Sequence, residues 1–255
     1  MPDAANPFTG KVVTGAGTAH TMGSWVALGN APFDCVGIQI FARNNNSATD
    51  YLVDIGFGAS GSEQVVIESL YVTGPSSSSR SKQYFFPLRV PANTRVSARC
   101  QNATISSTLA MGVSFFAETF KGAPFCDRIV TYGAVRSTSS GTALAAPAAN
   151  AWGAWTAIVA ATIDDHNWFM PVVGDQDLAT RTAQSHVVET GMGAAGSERR
   201  VGPPFFFHAS STALGLCYFP HYWMRLAGAQ QLSGRYSAVA ATNLGLDMII
   251  YAGCR

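Results

Sequence analysis

The sequence predicts an all-β fold of two tandem, duplicated β-sandwich domains, jelly-roll-like in type. Three observations carry this. Short runs rich in β-branched and aromatic residues recur along the chain, separated by Gly, Pro, Asn or Ser clusters. No segment sustains a helical stripe except a weak one near residues 150–161. Finally, the chain writes one stretch twice: Gly56-Phe57-Gly58-Ala59-Ser60-Gly61-Ser62-Glu63 returns 135 residues later as Gly191-Met192-Gly193-Ala194-Ala195-Gly196-Ser197-Glu198. A second block repeats in the same order, with Arg89, Val96, Ser97 and Arg99 over Arg225, Leu232, Ser233 and Arg235. Two distant blocks in one order and spacing mark an internal duplication, which decides the organisation before any single residue is weighed.

Residues 1–10 read as an irregular arm, residues 11–118 as the first sandwich, 119–131 as a linker and 132–255 as the second sandwich. In the first copy, strands are expected around 24–28, 36–41, 51–55, 64–72, 84–90, 95–100 and 111–116. Asn44-Asn45-Asn46-Ser47, Gly74-Pro75 and Pro91-Ala92-Asn93-Thr94 supply breaks between them. The second copy repeats the series around 155–159, 168–173, 186–189, 205–207, 217–223, 231–236 and 247–251. Evenly spaced short strands with turn signals between them point to a sandwich, most economically a jelly roll.

Only 12% of the residues are charged and the formal net charge is +1, so nucleic acid is not expected as a partner: phosphate binding needs clustered Lys and Arg. Weakly charged surfaces suit contact with other subunits instead. No run of 18 apolar residues suggests a membrane span, and the start lacks the basic-then-apolar pattern of a secretory signal. Five cysteines form no CxxC pair and no metal-ligand spacing with histidine. The plain reading of the five is buried or idle thiols; the sharper one has Cys126, in the linker, and Cys254, near the end, placed to reach a neighbouring chain as intersubunit disulfides under oxidising conditions.

Both repeats contain a literal GxGxxG, at Gly56, Gly58 and Gly61 and at Gly191, Gly193 and Gly196. A dinucleotide site needs that loop to open a helix whose amides meet the pyrophosphate. Here Gln64-Val65-Val66-Ile67 follows as a strand, so the expected role is a glycine-rich strand connection and no cofactor is implied. Glu63 and Glu198, the fixed acid after each loop, are expected to cap nearby amides or pair with Arg99 and Arg235. The histidines show no HExxH spacing, and the adjacent Asp164-Asp165-His166 would point to opposite faces of a strand, so neither a metal site nor a catalytic residue is assigned. Trp168, Tyr222 and Trp223 are candidate glycan-stacking or subunit-interface aromatics.

Two signatures carry a resemblance: Asp54-Ile55-Gly56-x-Gly58-Ala59-x-Gly61-Ser62-Glu63, and Val90-Pro91-Ala92-x-Thr94-Arg95-Val96-Ser97-Ala98-Arg99 before a closing strand. The chain resembles tailed-bacteriophage virion accessory proteins built from jelly-roll-like domains: head decoration, minor capsid or collar components. The second copy departs from both signatures, with Glu189-Thr190 and Leu226-Ala227-Gly228-Ala229 at the matching places. The resemblance implies a non-enzymatic homo-oligomeric structural protein of the virion, assembled in the host bacterial cytoplasm. Its partners would be other virion proteins (capsid, neck or tail) and copies of itself. The alternative reading is a carbohydrate-binding or receptor-binding module of a phage fibre or tail tip.

Overall fold

Apolar–polar alternation and β-branched runs become strands throughout. A computed structural model describes them over residues 10–45, 49–73, 82–117, 126–175, 184–209, 217–218, 221–240 and 245–254. In chain order they are β1 (Lys11–Thr14), β2 (Val26–Asn30), β3 (Gly37–Asn44), β4 (Tyr51–Phe57), β5 (Gln64–Val72), β6 (Lys82–Phe86), β7 (Arg95–Asn102) and β8 (Thr108–Phe116). Then follow β9 (Arg128–Tyr132), β10 (Thr142–Ala143), β11 (Thr156–Val159), β12 (Trp168–Asp175), β13 (Gln184–Met192), β14 (Arg199–Ala209), β15 (Cys217–Tyr218), β16 (Leu232–Ala238) and β17 (Leu246–Cys254). The described residues contain no helix.

The first eight strands form two sheets, ordered β1-β8-β3-β6 and β2-β7-β4-β5, which is the jelly-roll winding. The second half repeats it: β10-β17-β12-β15 and β11-β16-β13-β14 take the corresponding places, with β9 added alongside β17. β3 illustrates how sequence produces this geometry. Its Ile38, Ile40 and Ala42 are buried while Gln39, Phe41 and Arg43 between them are not, the period of two that a half-covered strand requires.

β17 breaks that period, because every residue from Leu246 to Cys254 is buried. The reason is that both of its faces are covered. Met248, Ile250, Ala252 and Cys254 belong to the core of the second half, whereas Ile249 and Tyr251 join the core of the first. Trp168, Met170 and Val172 of β12 turn to the first core as well. Full burial of an aliphatic side chain is worth roughly 1.5–3 kcal/mol, so these five residues tie the halves together strongly. The seam is also hydrogen-bonded: the Tyr251 hydroxyl accepts from the Tyr71 N–H at 2.7 Å and donates to the Ser69 carbonyl at 3.3 Å. Those backbone groups are free for it because β5 is irregular there, with Ser69 at a φ of 55°.

The strand expected around 155–159 is present as Thr156–Val159, paired with β16, and the weak helical stripe near 150–161 does not form a helix, since Trp155 and the β-branched residues after it favour a strand. The end of the expected linker is likewise structured: Arg128–Tyr132 is β9, paired with residues 250–254 of β17. Residues 1–9 of the arm and 119–125 of the linker lie outside the described residues.

Candidate functional site

The duplicated stretch forms the β4–β5 hairpin in one half and the β13–β14 hairpin in the other. Its glycines are required by geometry. A Cβ on Gly56 would come within 2.7 Å of the Trp25 ring, and one on Gly191 within 2.7 Å of the Trp155 ring. Gly58 and Gly193 share a φ of 123°, which side chains resist. The loop amides are held alike, with the Gly58 N–H donating to the Arg95 carbonyl at 3.1 Å and the Gly193 N–H to the Gln231 carbonyl at 3.3 Å.

Glu63 caps a loop amide as expected, but the arginine it pairs with is Arg95 and not Arg99, and Glu198 meets a glutamine in place of Arg235. Glu63 accepts from Arg95 at 2.6 Å and from the Gly61 N–H at 2.9 Å; the Arg95 contact, first among its causes, holds the carboxyl below its usual value. Glu198 accepts from Gln231 Nε2 at 3.2 Å. Arg99 and Arg235 are engaged one strand over, directly opposite Asp54 and Glu189 in the β4–β7 and β13–β16 ladders. Arg99 donates twice to Asp54 Oδ2, at 3.1 and 3.0 Å, and Arg235 twice to Glu189 Oε2, at 2.9 and 2.7 Å. The strand period explains the correction: Arg95 and Arg99 are four apart on one face, and it is Arg95 that lies beside the hairpin loop.

A tryptophan completes each set. The Arg99 guanidinium lies 4.6 Å from the Trp25 ring centroid, and Arg235 lies 4.2 Å from Trp155 and 4.7 Å from Trp152. Each half therefore carries a carboxylate, an arginine, a tryptophan and a glycine stacked in one column. A second arginine differs between them. Asp54 takes Arg136, which comes from the second half at 3.0 Å, whereas Glu189 takes Arg200 of its own hairpin at 3.1 Å. The Asp54 column thus doubles as a clamp between halves.

The remaining candidates scatter. Trp168 is fully buried in the seam, its ring 4.8 Å from His221 and 6.4 Å from Phe86, so it presents no surface to a glycan or another subunit. Tyr222 lies 4.9 Å from Phe169 and donates to the Pro203 carbonyl at 3.1 Å, a packing role. Trp223 keeps 48% of its surface exposed while stacking on His221 at 5.1 Å. Burial lowers the His221 imidazole to about 4. Cys126 and Cys254 are both buried free thiols, which agrees with the plain reading of the cysteines and not with the intersubunit one. The Cys126 thiol donates to the Pro87 carbonyl at 3.1 Å, and burial pushes its pKa far up. Pairing of β9 with β17 draws Cys254 inward, and backbone bonds to Pro87 and Arg89 hold Cys126, so neither thiol reaches a neighbouring chain from this fold. Asp164 pairs with Arg128, Asp165 with Arg225 at 3.0 Å, and buried His166 meets the Tyr132 hydroxyl at 2.8 Å. Three adjacent residues turn three ways, and no shared site results.

No protein-family model matches the chain, and no curated protein matches it. Among solved structures it is similar to PNGF-II, with a TM-score of 0.37 and 6% identity over 96% of this chain. The chain spans 64% of the length of that structure.

Proposed function

We propose that this chain is a non-enzymatic structural component of a tailed-phage virion, of the head-decoration, minor-capsid or neck and collar type. It stabilises the particle through contacts with other virion proteins and with copies of itself. The observation that supports this is the identity of what the two halves hold in common. The recurrent carboxylate, arginine, tryptophan and glycines shape and brace a hairpin, and their polar atoms are directed at one another. What duplication has kept is a scaffold with two similar hairpin ends on two cores that share β12 and β17. Exposed apolar side chains such as Ile105, Ile163 and Phe206 suit burial against neighbours, at roughly 25 cal/mol per Å² before association costs.

The test is purification of intact particles from infected cells, with the chain counted by quantitative mass spectrometry. Stoichiometric retention through density gradients is expected, and a chain found only in the soluble lysate refutes the reading. A second reading, glycan binding at a fibre or tail tip, is favoured by the exposed Trp223 ring on its His221 support. It requires host polysaccharide to change tryptophan fluorescence in the intact protein and not in Trp223→Ala.

A further inference from the structure

The two halves meet through unlike surfaces: the outer face of β12 and β17 in the second half covers the β5 edge of the first. The Tyr71 N–H donates to the Tyr251 hydroxyl at 2.7 Å. The Tyr71 ring fills the space that Gly174 of β12 leaves open, where a Cβ would stand 2.2 Å from it. Tyr71 is fully buried.

The duplication puts the same position at the edge of the second half. Val53 lies opposite Leu70 in the β4–β5 ladder, and Val188 lies opposite Phe205 in the β13–β14 ladder. Tyr71 and Phe206, the next residues, are therefore equivalent. Phe206 keeps 70% of its surface exposed, the most of any large apolar side chain among the described residues. One edge is covered within the chain and its copy is left open.

The covering face is also present twice. Phe41 lies opposite Gly112 where Gly174 lies opposite Asp247, and Gln39 lies opposite Ser114 where Val172 lies opposite Ile249. Phe116 stands at the place of Tyr251. Gln39, Phe41, Ser114 and Phe116 are partly exposed, and none carries a formal charge. Val172 and Ile249 stay buried within one chain, whereas a face that meets water before assembly needs polar members, which Gln39 and Ser114 supply. Interfaces between soluble partners are about as polar as the rest of the surface.

We infer that the open β14 edge around Phe206 binds the β3–β8 face of a second copy of this chain, repeating between chains the contact that β5 makes with β12 and β17 within one. The seam inside the chain specifies the partner, because each chain carries one uncovered edge and one uncovered face of the kinds that already fit together once. Pro203 and Pro204 lack the N–H groups through which a free strand would add to β14, so the covering sheet meets this edge with its side chains, as it does at Tyr71. A head-to-tail contact of this kind closes into a ring or runs on as a filament. The inference rests on the proposed contacts between copies.

Sedimentation velocity of the purified full-length chain tests it. Reversible self-association is expected, with a dissociation constant of about 100 μM or tighter. Phe206→Glu removes the edge and Phe41→Glu removes the face, so each variant alone should associate at least about tenfold more weakly. An equimolar mixture of the two should form a one-to-one dimer and stop there, since each supplies the surface that the other lacks. Gln39→Arg takes the place of Phe41→Glu if that variant loses the native circular dichroism spectrum. A wild-type chain that stays monomeric, association unchanged in Phe206→Glu, or a mixture no more associated than its components would overturn the inference. So would Phe41→Glu associating like wild type while Phe206→Glu does not, which would mean that two β14 edges meet each other. A chain retained in intact particles yet monomeric in this assay removes this inference and leaves the proposed function standing.

Discussion

Replacing Asp50 by Asn isolates the energetic cost of its buried carboxyl. The folded protein holds this group at about 7, against an ordinary 3.8. Below about pH 4 it is protonated whether the chain is folded or not, and no penalty arises. As the pH rises from 4 to 7 the unfolded chain releases the proton while the folded chain keeps it, so unfolding gains ground; above 7 the penalty is complete. At 1.36 kcal/mol per pH unit, the full effect is about 4 kcal/mol. Asn keeps the shape and cannot ionise. The stability difference between Asp50→Asn and wild type should therefore grow from near zero at about pH 4 to roughly 4 kcal/mol in favour of the variant at about pH 8. Urea midpoints of both proteins in EDTA, across that range, provide the measurement. His221 works in the opposite sense: its folded value of about 4 lies below the usual 6.5, so the stability it confers is lost as pH falls from 6.5 towards 4. It is present in both proteins and cancels in the difference. A difference that stays constant between pH 4 and 8 would refute the reasoning.

Gly56→Ala and Gly191→Ala should each destabilise by about 1–3 kcal/mol in urea melts, because the new methyl meets Trp25 or Trp155; a neutral result in either half would mean the ring can step aside. Tyr251→Phe strips a partner from the Tyr71 N–H and the Ser69 carbonyl at once. A loss of about 2–4 kcal/mol is expected by the same measurement, and a loss below about 0.5 kcal/mol would mean that those backbone groups find other partners. Native protein exposed to iodoacetamide should keep Cys100 and Cys126 unmodified by peptide mass spectrometry, since burial raises Cys100 to about 12 and Cys126 further. Rapid labelling of either thiol would show that these positions open to solvent.

Strand content and the glycine hairpins were readable because both are local: period-two alternation and a repeated GxGxxG leave marks within a few residues. Partner choice was not. Pairing Glu63 with Arg99 in place of Arg95 is an error of four residues, which only ladder register resolves. The tryptophan of each column had a signal that went unused, since Trp25-Val26-Ala27-Leu28 and Trp155-Thr156-Ala157-Ile158 share a W-x-A-aliphatic pattern ahead of a strand. The intersubunit reading of Cys126 and Cys254 and the surface reading of Trp168 fail for one reason: expecting two sandwiches joined by a linker hides the seam, which turns positions next to a linker or chain end into interior. Asp50 and Asp247 were invisible in the same way. They stand nearly two hundred positions apart, in no motif, and line one cleft only because of how the two halves fold.

The double coverage of β17 constrains how the polypeptide acquires its shape. It comes last of the seventeen strands among the described residues, yet Tyr251 and Ile249 belong beside Tyr84 and Phe86 in the interior of the earlier half. Until β17 is in place, the rings of Tyr84 and Phe86 lack the cover that Tyr251 gives them. Removing the second half would uncover Tyr84 and Phe86, and removing the first would uncover Ile249 and Tyr251.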